Sequence, residues 1–438
     1  MAVRILTPAV GKAIRSLARL RGGGSAFPGK VVESIDRGFL ARTLGQLPYG
    51  VVLVSGTNGK TTTTRIVASM LSALGLRVFT NPTGSNFTRG VVSALIDQVD
   101  MRGRLDADIA VLELDEAYAV HFVEQVKPRY CLLLNVMRDQ LDRFGEIDTT
   151  ARLLGKAAAA TTGVLVLNRE DSRVSGLSRL APWSTEKQYF GLFDDLVSFF
   201  PSDDDMHEEA SQGVRVSDTH GVLGDVVLTK VDGHTATYLI DDQEYSKTLR
   251  LEGVYNLYNA AAALTLVRAV MRDVNKARNT FIGTERMLDA LAAVTPAFGR
   301  GETVTVGKTP VEMILVKNPM GFRLALKSFP AAGCQTMIVI NDQYADGRDM
   351  SWLWDVDFSS LAGEGAAMVS GVRADDMALR LAYDQVEVAA VDADIERAVK
   401  AFLQVKPEQP HHIYCTYTAM LTVRQVLSQI TDVEDVGL

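Results

Sequence analysis

Three cysteines in 438 residues, Cys131, Cys334 and Cys415, are too few and too scattered for a disulfide framework or a cysteine metal cluster. Each sits among apolar neighbours, which predicts buried thiols in a reducing cytoplasm. No run of about 18 uninterrupted apolar residues occurs, so no transmembrane helix is expected. Internal repeats and low-complexity tracts are also missing. Positive charge is in deficit, with a formal net charge of −8. Nucleic acid is therefore not expected as a partner, because binding a duplex needs a basic face.

What is present is a globular composition, 47% hydrophobic and 22% charged, in a chain long enough for more than one core. The first fifty residues depart from the acidic average. Arg4, Lys12, Arg15, Arg19, Arg21, Lys30, Arg37 and Arg42 face only Glu33 and Asp36 there. Lys12, Arg15 and Arg19 interrupt the apolar stretch that a signal peptide would need. Residues 3–20 read instead as an amphipathic basic helix packed on the protein, with a peripheral contact to the inner membrane face as the alternative.

The apolar run Val51–Val54, bounded by turn residues, predicts a buried parallel strand, and Thr62–Leu74 carries apolar residues at helical spacing. Strands are expected at 76–80, 109–114, 130–136 and 163–168, with helices between them. That alternation means a doubly wound parallel sheet in an α/β domain. Residues 190–250 change character: an acidic run at 202–209 precedes hairpin-like alternation, read as a β-rich insertion. A long helix at 257–271 and a hinge at 296–301 follow. A smaller C-terminal α/β domain is expected from 303, with strands near 313–316, 336–340, 367–369 and 412–415. The resulting division is a basic N-terminal segment at 1–48, a central domain at 49–300 and a C-terminal domain at 301–438.

The chemistry begins with Gly56-Thr57-Asn58-Gly59-Lys60-Thr61-Thr62, between a strand and a helix. Its first glycine is too close to the second for a full phosphate-loop pattern, but the G-K-T core and its context are intact. Glycines let backbone N–H groups approach phosphate oxygens, and a helix N-terminus adds positive potential. Lys60 is expected on the β and γ phosphates of ATP and Thr61 on Mg²⁺. Glu113 ends a strand in Leu112-Glu-Leu-Asp-Glu116, where carboxylates face the ligand crevice and can serve Mg²⁺. Asp139, after the next strand, is placed similarly.

These motifs resemble the Mur ligase superfamily in order and approximate spacing. Gly253-Val-Tyr-Asn256-Leu-Tyr-Asn259 resembles the segment that contacts adenine there, and Arg300 matches the hinge arginine. Gln140 and Tyr255 stand where those ligases carry histidine. The segments Arg21–Lys30, Lys317-Asn-Pro-Met-Gly-Phe322 and Asn341–Asp355 are closer to the MurT family. That resemblance spans nearly the whole chain.

The resemblance implies ATP-dependent amidation of the D-glutamate α-carboxylate of lipid II through an acyl phosphate. The ammonia would come from a GatD-like class I glutaminase subunit in a heterodimer, working in the cytoplasm at the inner membrane face. It also implies that an aspartate of the C-terminal domain completes the glutaminase triad. Asp342, Asp346, Asp349 and Asp355 are the candidates, with Asp349 favoured. Many family members carry a zinc ribbon in the insertion, but residues 190–250 contain no cysteine, so no structural zinc is expected. His207, His220 and His234 read as solvated loop residues. Two other readings stay open: an amino-acid-adding Mur or folylpolyglutamate ligase, and a nucleotide-dependent scaffold without turnover.

Overall fold

Val51–Ser55 is buried at every position, and this strand, β1, lies inside a sheet with a parallel neighbour on each side. Successive side chains of a strand point to opposite faces. Val52 and Val54 accordingly join one apolar cluster and Val51 and Leu53 the other. The structure, a computed structural model, describes residues 2–20, 27–81, 86–137, 147–197, 226–251, 253–295 and 300–431.

The strands that follow are β2 (Val78–Thr80), β3 (Ile109–Glu113), β4 (Tyr130–Leu133), β5 (Val164–Asn168) and β6 (Glu186–Leu192). After them come β7 (Val226–Asp232), β8 (Thr235–Ile240) and β9 (Gln243–Thr248). Their order across the sheet is β2-β3-β1-β4-β5-β6-β7-β8-β9. Strand β1 pairs in parallel with β3 on one side and β4 on the other, which aligns Val54 with Glu113 and Ser55 with Leu133. The loops after three adjacent strands therefore open onto one crevice, at the point where the strand order reverses.

Helices cover both faces. Lys60–Ala73, Val254–Arg278 and Thr284–Ala292 pack on one; Thr88–Gln98, Glu116–Gln125 and Ile147–Ala160 pack on the other. The expected N-terminal helix spans Ala2–Leu20 and packs on helix Phe27–Ile35, which in turn lies on Thr88–Gln98. Gly29 allows that approach, since a Cβ there would sit 2.0 Å from the Arg89 carbonyl oxygen. Arg15 lies 3.0 Å from Asp97, and Asp36 accepts from Thr7 and Arg42. Among the described residues no helix is long and apolar enough to cross a membrane.

The β-rich segment is built onto the central sheet itself. Strand β7 pairs in parallel with β6, and β8 and β9 follow as antiparallel hairpins, so they extend the central sheet. Val226, Leu228, Tyr238 and Ile240 join the apolar cluster under helix Val254–Arg278, which fixes the hairpins there. The acidic run at 202–209, with His207 and His220, lies outside the described residues.

A second sheet of six strands begins with the hairpin β10 (Arg300–Val306) and β11 (Thr309–Leu315). It continues with β12 (Gln335–Val339), β13 (Met368–Ser370), β14 (Val391–Asp392) and β15 (His411–Cys415), in the order β10-β11-β15-β12-β13-β14. Only the β10–β11 pair is antiparallel. The 317–322 and 341–355 segments both leave its carboxyl edge, after β11 and β12. Ser351–Asp355 is a 3₁₀ turn, which buries Trp352 and leaves Trp354 half exposed.

Candidate nucleotide site

Gly56 and Gly59 have φ of 132° and 84°, a region that L side chains avoid. A Cβ on Gly56 would lie 3.0 Å from the backbone of Asn135, and one on Gly59 would lie 2.6 Å from Asn259 Oδ1. The loop is clamped from the next strand's end. Asn135 Oδ1 accepts from Asn58 N at 2.8 Å, its Nδ2 donates to the Asn58 carbonyl at 3.0 Å, and its carbonyl accepts from Thr57 N at 3.0 Å. Asn135 in turn is followed by Val136, whose N–H donates to the half-buried Asp171 carboxylate at 2.7 Å. Burial holds the Asp171 carboxyl above its ordinary range, against the N–H bonds from Val136 and Val174 that pull it down.

Lys60 opens the helix that starts at this loop, and its side chain is buried. Its Nζ donates to the carbonyls of Gly56 at 2.6 Å and Thr57 at 3.3 Å. It also lies 3.1 Å from Asp115 and 3.6 Å from Glu116, both buried. Thr61 Oγ1 donates to Glu113 Oε1 at 2.9 Å. Asn81 fixes the backbone of Glu113 with two bonds of 3.0 Å, to its N–H and from its own amide to the carbonyl. A hydroxyl and a carboxylate side by side are a hard oxygen donor set, which suits Mg²⁺ better than a softer metal.

Beside the loop a pocket opens between the two sheets' domains, lined by Asn58, Thr62, Tyr255 and Asn256 on one side and Leu315 and Phe329 on the other. Its apolar C-terminal wall suits a flat base. Asn259 Nδ2 is buried without a hydrogen-bond partner beside Gly59, and the glycine leaves a cradle there. Both features fit a phosphate-bearing ligand that supplies the missing acceptor. Tyr255 reaches the loop clamp: its hydroxyl accepts from Asn135 Nδ2 at 3.4 Å.

Of the expected site residues, Gly56 through Thr62, Glu113, Asn256 and Asn259 thus gather around one crevice. Arg300 begins β10, but its side chain lies outside the described residues, as do Asp139 and Gln140 altogether. The pairing of Lys60 with Asp115 and Glu116, and the clamp from Asn135, were not foreseen. Only the run Leu112–Glu116 hinted at the former.

The four C-terminal aspartates separate by environment. Asp346 is buried, and its carboxylate accepts from Gln343 N at 3.0 Å, Thr418 N at 2.7 Å and Thr418 Oγ1 at 2.5 Å. That carboxylate shapes its own turn and ties it to helix Tyr417–Ser428. Asp342 accepts from Arg373 at 2.9 Å. Asp355 is half-buried, and its carbonyl accepts from Arg323. Asp349 is exposed, with Oδ1 accepting from Ser351 N at 2.9 Å.

None of the thiols is poised as a nucleophile. Burial pushes Cys131 up to about 12 and raises Cys415 further; burial with Glu312 and Glu364 nearby raises Cys334.

The sheet, the clamped glycine loop and the Thr61–Glu113 pair define a nucleotide-binding protein of the Mur ligase type. Residues 54–267 match the Mur ligase middle domain, and residues 315–420 match the MurT ligase C-terminal domain. The chain is 30% identical to the lipid II isoglutaminyl synthase (glutamine-hydrolyzing) subunit MurT of Streptococcus pneumoniae, over 94% of each chain. It is 29% identical to the MurT subunit of Staphylococcus aureus strain COL, over 87% of this chain and 88% of that one. The chain belongs to the MurT family. Among solved structures, MurF from Acinetobacter baumannii superposes with a TM-score of 0.66 at 16% identity, covering 91% of this chain and 80% of that one. Folylpolyglutamate synthase from Mycobacterium tuberculosis gives 0.60 at 15% identity, over 89% and 93%. These two share the fold.

Proposed function

We propose that the chain is the synthetase subunit that amidates the D-glutamate α-carboxylate of lipid II, using ATP and Mg²⁺. The observation that carries this reading is the buried constellation of Lys60, Thr61 and Glu113 on the glycine loop, in a chain aligned with MurT subunits over nearly its whole length.

A carboxylate is a poor electrophile at neutral pH. Transfer of the γ-phosphoryl group of ATP to its oxygen gives an acyl phosphate and ADP. Ammonia then attacks the carbonyl carbon, phosphate leaves with the former carboxylate oxygen, and the amide remains. The loop N–H groups and Lys60 hold the phosphates and offset the charge that builds up during transfer. Thr61 and Glu113 would hold Mg²⁺, which supplies Lewis-acid polarisation of the phosphoryl oxygens. Asn256 and Asn259 flank the base and the loop, and the family resemblance offers Arg300 for the hinge side.

The ammonia source in this reading is a GatD-like class I glutaminase subunit. Asp349 is the aspartate offered to it, because it is exposed to a partner while Asp346 is buried in its own turn and Asp342 and Asp355 are half-buried. Its role would be to orient the partner's histidine and stabilise the imidazolium. A lipid-linked substrate would bring the complex to the inner face of the membrane.

The test is amidation of purified lipid II by the isolated chain with ATP, Mg²⁺ and ammonium, in the absence of any amino acid. Mass spectrometry should find isoglutamine in the stem peptide. A product formed only when an amino acid is added would replace this reading with that of an amino-acid-adding ligase.

A further inference from the structure

Asn58 and Asn318 stand 260 positions apart and form a reciprocal amide pair. Asn318 Nδ2 donates to Asn58 Oδ1 at 2.9 Å, and Asn58 Nδ2 donates back to Asn318 Oδ1 at 3.3 Å. Both side chains are buried, Asn318 to 1% exposure. One partner belongs to the glycine loop. The other is the N-cap of helix Pro319–Ser328 in the C-terminal domain, where Asn318 Oδ1 also accepts from Gly321 N at 2.7 Å. Next to it Lys317 Nζ donates to the Thr57 carbonyl at 3.4 Å.

The same helix touches the central domain again at its other end. Gly253, with φ of 80°, comes so close that a Cβ there would lie 3.0 Å from Ser328 Cβ. Leu324 and Ala325, between these two joints, line the nucleotide pocket. Helix Pro319–Ser328 therefore forms one wall of the pocket, pinned at the phosphate loop by Asn318 and at the base-side turn by Ser328.

From this geometry we infer that Asn318 is a positioning residue which couples nucleotide binding to docking of the C-terminal domain, acting through Asn58. It rests on the nucleotide reading of the loop and adds a residue outside it. A nucleotide that orders the loop fixes the Asn58 amide and so favours the docked C-terminal domain. A docked domain likewise prepares the loop, because such linkage is reciprocal. An amide is the side chain that can donate to Asn58, accept from it and cap the helix together.

The test uses Asn318→Ser, because serine keeps an oxygen for the helix N-cap but is too short to rebuild the amide pair. Binding of a non-hydrolysable ATP analogue should weaken about tenfold in Asn318→Ser, and KM for ATP should rise by a similar factor. The kcat of ammonia-driven amidation at saturating ATP should stay near wild type, while the nucleotide-free chain should melt lower because the buried Asn58 amide loses its partner. Asn58→Ala should weaken binding comparably, and the double variant should bind no worse than the weaker single one. Unchanged affinity in Asn318→Ser, or losses that multiply in the double variant, would overturn the coupling while leaving the ligase reading intact. A wild-type chain that binds no nucleotide would overturn both.

Discussion

Thr61, in the first turn of the helix after the glycine loop, and Glu113, at the end of β3, are 52 residues apart and meet in a 2.9 Å hydrogen bond. Parallel pairing of β1 with β3 sets this up, because it aligns Val54 with Glu113. Glu113→Gln keeps an oxygen for the Thr61 hydroxyl but removes the negative charge. Amidation should fall about 100-fold, with the Mg²⁺ requirement shifted to higher concentration. A magnesium titration of ATP turnover reads both effects; an unshifted titration would remove Glu113 from the metal site.

Lys60 makes a poor simple knockout. Its removal by Lys60→Ala leaves Asp115 and Glu116 buried without their cation, at a cost of about 3–5 kcal/mol in stability. Denaturant unfolding should show that loss in the nucleotide-free chain. A stability equal to wild type would mean that the two carboxylates do not depend on Lys60.

Gly59→Ala meets two obstacles, a positive φ and Asn259 Oδ1 only 2.6 Å from the new carbon. The conformation alone costs about 1–2 kcal/mol, and the contact blocks the cradle. Nucleotide binding measured by calorimetry should disappear while the circular dichroism spectrum stays that of the folded protein.

Asp346 and Asp349 should separate cleanly. Asp346→Ala leaves three donors at Gln343 and Thr418 without their acceptor and should destabilise the fold by about 2–3 kcal/mol. Asp349→Asn should change stability by no more than about 0.5 kcal/mol. It should abolish glutamine-driven amidation and spare the ammonia-driven reaction. Loss of both reactions would end the triad role.

Asp36 carries a pH dependence. The hydrogen bond from Arg42, helped by Thr7 and opposed by burial, holds its carboxyl below the ordinary value of 3.8. A depressed folded value means stabilisation that is complete above 3.8 and lost as pH falls through the lower folded value. Asp36→Asn should therefore unfold at lower denaturant than wild type near neutral pH, with the gap closing as the pH falls through the depressed folded value of Asp36. A gap that persists in acid would assign the loss to packing.

Much of this architecture was readable before folding, for identifiable reasons. Val51–Val54 is a continuous apolar run followed by glycines and a lysine, so strand, loop and helix declare themselves locally. The hairpins β7 to β9 were recognisable as hairpins. Which sheet edge they join depends on β6, some 35 residues away in sequence, and on apolar contacts under helix Val254–Arg278. Asp349 and Asp346 look alike in sequence; burial and the tie to Thr418, 72 residues beyond Asp346, tell them apart. The Asn58–Asn318 pair, bridging two domains, has no local signature at all.

The most direct measurement is transfer of ¹⁵N from labelled ammonium into lipid II by the purified chain, with ATP and Mg²⁺ and without a glutaminase. The expected result is one labelled amide on the D-glutamate α-carbon carboxyl for each ATP converted to ADP and phosphate, and none with Glu113→Gln at limiting Mg²⁺. ATP hydrolysis that leaves lipid II unlabelled, or label that enters without ATP, would contradict a carboxylate-activating ligase.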